Sequence, residues 1–114
     1  MGQEESSTEQ KTEAESITTY FQNKNLTMIP IQSILPYLDL MISLDLTGNC
    51  INTLPSNIPN LRVLILASNK LTSIDNGLIN PILTYTKLEV IDVSLNNLTV
   101  IPDQILQIRT LIRL

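Results

Sequence analysis

Apolar and polar positions follow one template three times along the chain, anchored on Asn49, Asn69 and Asn96. An aliphatic residue precedes each asparagine by eight, five and three positions, and another follows it by two. The sets are Met41, Leu44, Leu46 and Ile51; Leu61, Leu64, Leu66 and Leu71; and Leu88, Ile91, Val93 and Leu98. Leu54, Ile74 and Ile101 come three residues later, with Pro55 and Pro102 behind the first and last of them. Alternation that breaks off at an amide residue is the period of a strand and not the 3 and 4 spacing of an amphipathic helix. The spacing predicts short strands that send two side chains inward and leave the residue between them on an open face. Each asparagine then stands where the chain leaves the sheet, its amide meeting turn backbone groups that would otherwise be buried without partners. One such unit cannot cover its own apolar side, but stacked neighbours can.

These residues closely resemble the leucine-rich repeat family, with three good copies and two partial ones over residues 17–114. The resemblance implies an α/β solenoid. Short parallel strands would line its concave side, and irregular, 3-10, extended or short helical segments its convex side. Asn49, Asn69 and Asn96 would form an inner ladder.

The copies are unequal. Asn49 to Asn69 spans 20 residues and Asn69 to Asn96 spans 27, so the convex return changes form. The proline-bearing return from Leu54 to Leu61 is expected to be extended. The longer one has room for a turn or two of helix around Leu78, Ile79, Ile82 and Leu83, with Pro81 limiting its reach and Gly77 supplying a special backbone angle. Upstream, Leu26, Ile29 and Pro30 repeat the second half of the motif, but Lys24 takes the asparagine position and Thr19 an apolar one. This first copy reads as a terminal cap, built either on a strand over 17–22, the preferred reading, or on a helix through Ala14, Ile17, Tyr20 and Phe21. Downstream, Leu98, Ile101, Pro102, Ile105 and Ile108 complete a fourth copy, and Leu111 and Leu114 begin a fifth, Leu114 as its first core strand residue. A native stack ends in a polar cap, so the expectation is truncation of a longer chain, or a partner covering the end.

Charge divides the chain at residue 16. Glu4, Glu5, Glu9, Glu13 and Glu15 against Lys11 carry the whole net charge of −4, and residues 17–114 are balanced. Residues 1–16 read as a disordered acidic tail and 17–114 as the repeat domain. Neither has the cationic stripe that nucleic-acid binding needs. Cys50 is the only cysteine, the N-terminus is too polar for a signal peptide, and no apolar run approaches the length of a membrane span. The expected location is therefore the cytoplasm. Met1, Gly2 and Ser6 match the N-myristoylation pattern, although a polar tail that merely begins with glycine fits equally. A single acyl chain at Gly2 would give weak, reversible peripheral membrane contact. The sequons at Asn25 and Asn97 fall on the repeat pattern and are explained by turn geometry.

Catalysis is not expected. The chain has no histidine, which removes triads and histidine metal sites, and only three glycines, which leaves no phosphate loop. No metal, cofactor or small-molecule substrate is implied. What remains is the concave face. Alternation places Tyr20, Asp45, Ile65 and Asp92 in its central row, flanked by Thr18, Ser43, Val63 and Val90 on one side and Gln22, Thr47, Ala67 and Ser94 on the other. Ser43, Asp45, Thr47, Val63, Ile65, Ala67, Val90, Asp92 and Ser94 are the candidate protein-binding residues, an apolar middle bordered by two carboxylates. The expected occupant is an extended or helical segment carrying basic residues. A plain solvated strand surface, with the true contact in further repeats, weighs equally. The expected function is an intracellular scaffold or adaptor. The alternative is the targeting or regulatory part of a signalling enzyme, since such repeats are joined in some families to phosphatase, kinase or small-GTPase domains.

Overall fold

The computed structural model describes residues 21–56, 58–106 and 111–113. The acidic tail with Gly2, and Thr18, Tyr20, Ile108 and Leu114, lie outside them.

The alternating segments form four three-residue strands: β1 Ser43–Asp45, β2 Val63–Ile65, β3 Val90–Asp92 and β4 Leu111–Arg113. They make one parallel sheet in the order β1-β2-β3-β4. In β1 to β3 the middle residue is buried and its neighbours are half-exposed, as a period of two requires. Leu44, Leu64 and Ile91 stand in register, and behind each strand Leu46, Leu66 and Val93 are buried as well. Inter-coil bonds continue past the strand ends: the N–H groups of Leu46, Leu66 and Val93 donate to the carbonyls of Ile65, Asp92 and Arg113 at 2.8, 2.7 and 2.8 Å.

Of the strand expected over 17–22, residues 17–20 lie outside the described residues; Phe21 and Gln22 lie in the turn at Asn23, whose φ is 54°, and Phe21 is buried in the core. Two departures from the sequence reading have physical causes. In β4, Leu111 pairs with Val90 and Ile112 with Ile91, so Ile112 and not Leu114 takes the first core register position. The segment Ile112-Arg113-Leu114 carries the apolar-x-apolar alternation that pairing selects, whereas Leu111 to Leu114 has a spacing of three. Gly77 needs space and not a special angle: it is outside the left-handed region, and a Cβ there would lie 2.5 Å from the Asn52 carbonyl oxygen. The helix expected around Leu78, Ile79, Ile82 and Leu83 is present, running over Asn76–Thr84 with Pro81 inside it.

Among the described residues the convex returns carry three helices, α1 Ile31–Ile34, α2 Asn76–Thr84 and α3 Asp103–Leu106, with a 3-10 turn Leu35–Tyr37 after α1. Asp75 caps α2, its carboxylate accepting the Gly77 N–H at 3.2 Å. Pro81 inside α2 has no N–H, so the Gly77 carbonyl one turn earlier loses its helical donor. That carbonyl instead accepts the Leu54 N–H of the preceding coil at 3.1 Å. The missing donor thus frees an acceptor that joins two coils. Leu78, Ile79, Pro81 and Ile82 are buried on the helix face turned to the core, and Leu83 is exposed.

Tyr85, buried at the end of α2, ties the helix to the same preceding return by donating its hydroxyl hydrogen to the Pro55 carbonyl. Burial pushes its phenol well above the ordinary range because the phenolate would lose its hydration. An unfolded tyrosine releases its proton near pH ~10 while the folded one retains it, so the contribution is complete below that pH and stability falls as pH rises beyond it. The slope from this one group reaches about 1.4 kcal/mol per pH unit. Tyr85→Phe should therefore cost about 1 kcal/mol at neutral pH for the lost hydrogen bond. In urea titrations the gap between variant and parent should narrow above pH ~10; a constant gap into the alkaline range would contradict this account.

Candidate functional site

The asparagines show how coils are held at fixed spacing. Asn69 is 5% exposed. Its Nδ2 donates to the carbonyls of Leu46 and Leu66 at 3.0 Å and of Ala67 at 3.2 Å, and its Oδ1 accepts the Ile51 N–H at 2.8 Å. Asn49 bonds likewise to the Phe21 and Leu46 carbonyls and accepts from the Lys24 and Leu26 N–H groups. Asn96 bonds to the Leu66 and Val93 carbonyls and accepts from Leu71. Each asparagine reaches back to the coil before it. Lys24 can therefore stand at the first ladder position, because its coil is served by Asn49. No buried side-chain polar atom among the described residues lacks a partner.

The residue before each ladder position has positive φ: Asn23 at 54°, Gly48 at 77°, Ser68 at 54° and Leu95 at 56°. The N–H groups of Asn23, Gly48 and Ser68 then donate to the Thr47, Ala67 and Ser94 carbonyls of the next coil at 2.9, 3.1 and 3.0 Å. This left-handed column is what turns the chain off the sheet. Its four residue types differ, so no sequence pattern announced it.

The concave surface stands on this frame. Its rows run Ser43, Val63, Val90, Leu111 and Asp45, Ile65, Asp92, Arg113. Ser43, Asp45, Thr47, Val63, Ile65, Val90, Asp92 and Ser94 are half-exposed, whereas Ala67, placed on the face by alternation, is buried, its single methyl group being too short to present much surface. Asp45 and Asp92 are separated by Ile65 and form no carboxylate pair. Both are already engaged. Asp45 Oδ1 accepts from the Thr47 N–H at 3.0 Å and its hydroxyl at 2.5 Å, and Oδ2 accepts from Gln22 Nε2 at 2.7 Å. Asp92 Oδ1 accepts from the Ser94 N–H at 3.0 Å and its hydroxyl at 2.6 Å. These are local turns closing the strand ends, and the signal was available: aspartate two residues before Thr47 or Ser94, but isoleucine two before Ala67. The carboxylates are fixed features of the face and not loose rim charges. Sequence reasoning also missed Arg113, which the β4 register places beside Asp92.

Cys50 is a half-buried free thiol whose N–H donates to the Leu26 carbonyl at 2.8 Å. Among the described residues there is no cluster of metal-ligating side chains, and no helix is long and apolar enough to cross a membrane. The arrangement offers a surface for contact, with a half-exposed aliphatic centre held by backbone pairing on both sides.

Comparison with family models matches residues 41–61, from the last residues before β1 into the return before β2, to the Leucine Rich Repeat. No curated protein matches the chain.

Proposed function

The chain carries a leucine-rich repeat solenoid, typically a protein-interaction module, and from that premise we propose that its concave sheet binds a protein partner in a non-catalytic scaffold or adaptor. One observation carries the reading. Val63, Ile65 and Val90 lie side by side on adjacent in-register strands, half-exposed, in positions the fold leaves out of its core. A contiguous apolar centre with fixed polar neighbours is the anatomy of a recognition surface. The occupant is a segment that sets an aliphatic side chain over Ile65 and a basic group toward Asp92. The free thiol of Cys50 supports placing the module inside the cell, where cysteines remain reduced. Myristoylation of Gly2 belongs to the same proposal, and the mass of the N-terminal peptide checks it.

The test is partner recovery by pull-down. Ile65→Lys, which sets a cation between Asp45 and Asp92 without disturbing their turns, should lower recovery at least about tenfold, equivalent to one hot-spot contact. Leu83→Lys on the convex helix should not. Asp45→Arg is a less clean probe because it also removes the Thr47 and Gln22 bonds. Equal recovery with Ile65→Lys and the parent would remove the concave face from consideration.

A further inference from the structure

Glycine follows asparagine once in the chain, at Asn76 and Gly77. No setting leaves an asparagine more labile, because glycine has no side chain to keep its backbone nitrogen away from the neighbouring amide carbon. The fold holds this pair in place. A Cβ at position 77 would lie 2.5 Å from the Asn52 carbonyl oxygen, so a larger residue does not fit there without movement. Asn76 is exposed, and with Asn52, Thr53, Asp75 and Gly77 it lines a groove of ≈ 430 Å³ open to water.

The place of the pair in α2 holds the reaction back. Asn76 is the first residue of the helix. A helical ψ of about −42° turns the next backbone nitrogen out of the plane of the Cα–Cβ bond, whereas ring closure on the side-chain carbon needs that nitrogen eclipsed with the bond. The Gly77 N–H, whose proton must leave before the nitrogen can attack, donates to Asp75 Oδ1 at 3.2 Å. The Leu78 and Ile79 N–H groups donate to the Asp75 carbonyl at 3.0 and 2.8 Å and close the same turn. On its other side the Gly77 carbonyl is tied to the Leu54 N–H of the preceding coil at 3.1 Å.

We propose that Asn76 is a deamidation site held latent by the first turn of α2, and that its conversion to isoaspartate releases the helix from the preceding coil. When the turn opens locally, the Gly77 nitrogen loses its proton to hydroxide and bonds to Asn76 Cγ; the Cγ–Nδ2 bond breaks, and the amide nitrogen takes a proton from water and leaves as ammonia. Water then opens the succinimide. Cleavage of the new N–Cγ bond gives an ordinary aspartate, which suits a first helical turn. Cleavage at the backbone carbonyl carbon instead routes the main chain through Cγ and adds a methylene before Gly77. Gly77 already lies against the Asn52 carbonyl, so the longer main chain does not keep the Leu54 bond. The inference does not depend on the concave reading.

The experiment ages the full ¹⁵N-labelled chain in mildly alkaline buffer, natively and in urea, and measures isoaspartate at position 76 by peptide mass mapping and by methylation with an isoaspartyl methyltransferase. Conversion is expected in urea, and at least about tenfold more slowly in the native protein, where the turn is mostly closed. Asp75→Ala should speed the native reaction about threefold to tenfold by loosening the cap, whereas Asp75→Ser, which still caps, should stay within about twofold of the parent. Native molecules that carry isoaspartate should lose the slow exchange of the Leu54 amide, and Asn76→Gln aged alongside should keep it. No isoaspartate in urea, equal rates in urea and native buffer, or no acceleration by Asp75→Ala overturns the latent site. Retention of Leu54 protection in the isoaspartyl form overturns the release.

Discussion

Replacing Asn69 with leucine, its near-isostere, should destabilise the protein by about 3 kcal/mol, more than most single substitutions. The reason lies in what each partner keeps. The Leu46 carbonyl still receives Asn49, the Leu66 carbonyl still receives Asn96, and the Ala67 carbonyl still receives the Gly48 N–H. The Ile51 N–H keeps nothing: its acceptor was Asn69 Oδ1, and Ile51 is 1% exposed. A buried donor without a partner costs about 1–3 kcal/mol, to which the loss of the three weaker carbonyl contacts is added. A thermal midpoint lower by roughly 15 °C follows for a domain of this size. Asn69→Asp should be worse still at neutral pH, since a carboxylate would face three carbonyl oxygens. Asn96→Leu should cost less because that position is only half-buried. Urea titrations of the three variants check the order, and equal losses at Asn69 and Asn96 would contradict it.

Leu64→Ala should cost about 3–4 kcal/mol, the range for a fully enclosed leucine whose cavity only partly collapses. Leu64 is 0% exposed in the middle of β2, with Leu44 and Ile91 in register on either side, so the cavity would open into two coil interfaces at once. Leu83→Ala, at a residue 45% exposed on the convex helix, is the matched control and should stay below about 1 kcal/mol. A stack buries each coil only against its neighbours, so damage at one interface is shared by both units it joins. If the two leucines were equally tolerant, the core would not lie where the strands place it.

The stacked strands and the ladder were legible because both depend on short, repeated spacings. Leu44 and Leu46, Leu64 and Leu66, and Ile91 and Val93 declare their side of the sheet by alternation, and each asparagine stands at a constant distance behind them. What was not legible depends on contacts between coils. The need for glycine at 77 comes from the Asn52 carbonyl of another coil. The bond from the Leu54 N–H to the Gly77 carbonyl that Pro81 leaves without a helical donor again comes from another coil. The left-handed column passes through asparagine, glycine, serine and leucine, four residues that share a backbone angle but no side-chain chemistry. The pairing of β4 was misread because Leu111 and Leu114 match the first two template positions, whereas pairing follows Ile112. On the concave face, alternation identified the rows but not the employment of Asp45 and Asp92 in their own turns, nor Arg113 at the end of the central row.

All of this rests on neighbouring coils being side by side in one register, with Leu64 between Leu44 and Ile91. A methyl-labelled NOE spectrum of the full chain measures that directly. The account predicts cross-peaks from the Leu64 methyls to those of both Leu44 and Ile91. Cross-peaks to neither, or to residues one position out of register, would contradict it.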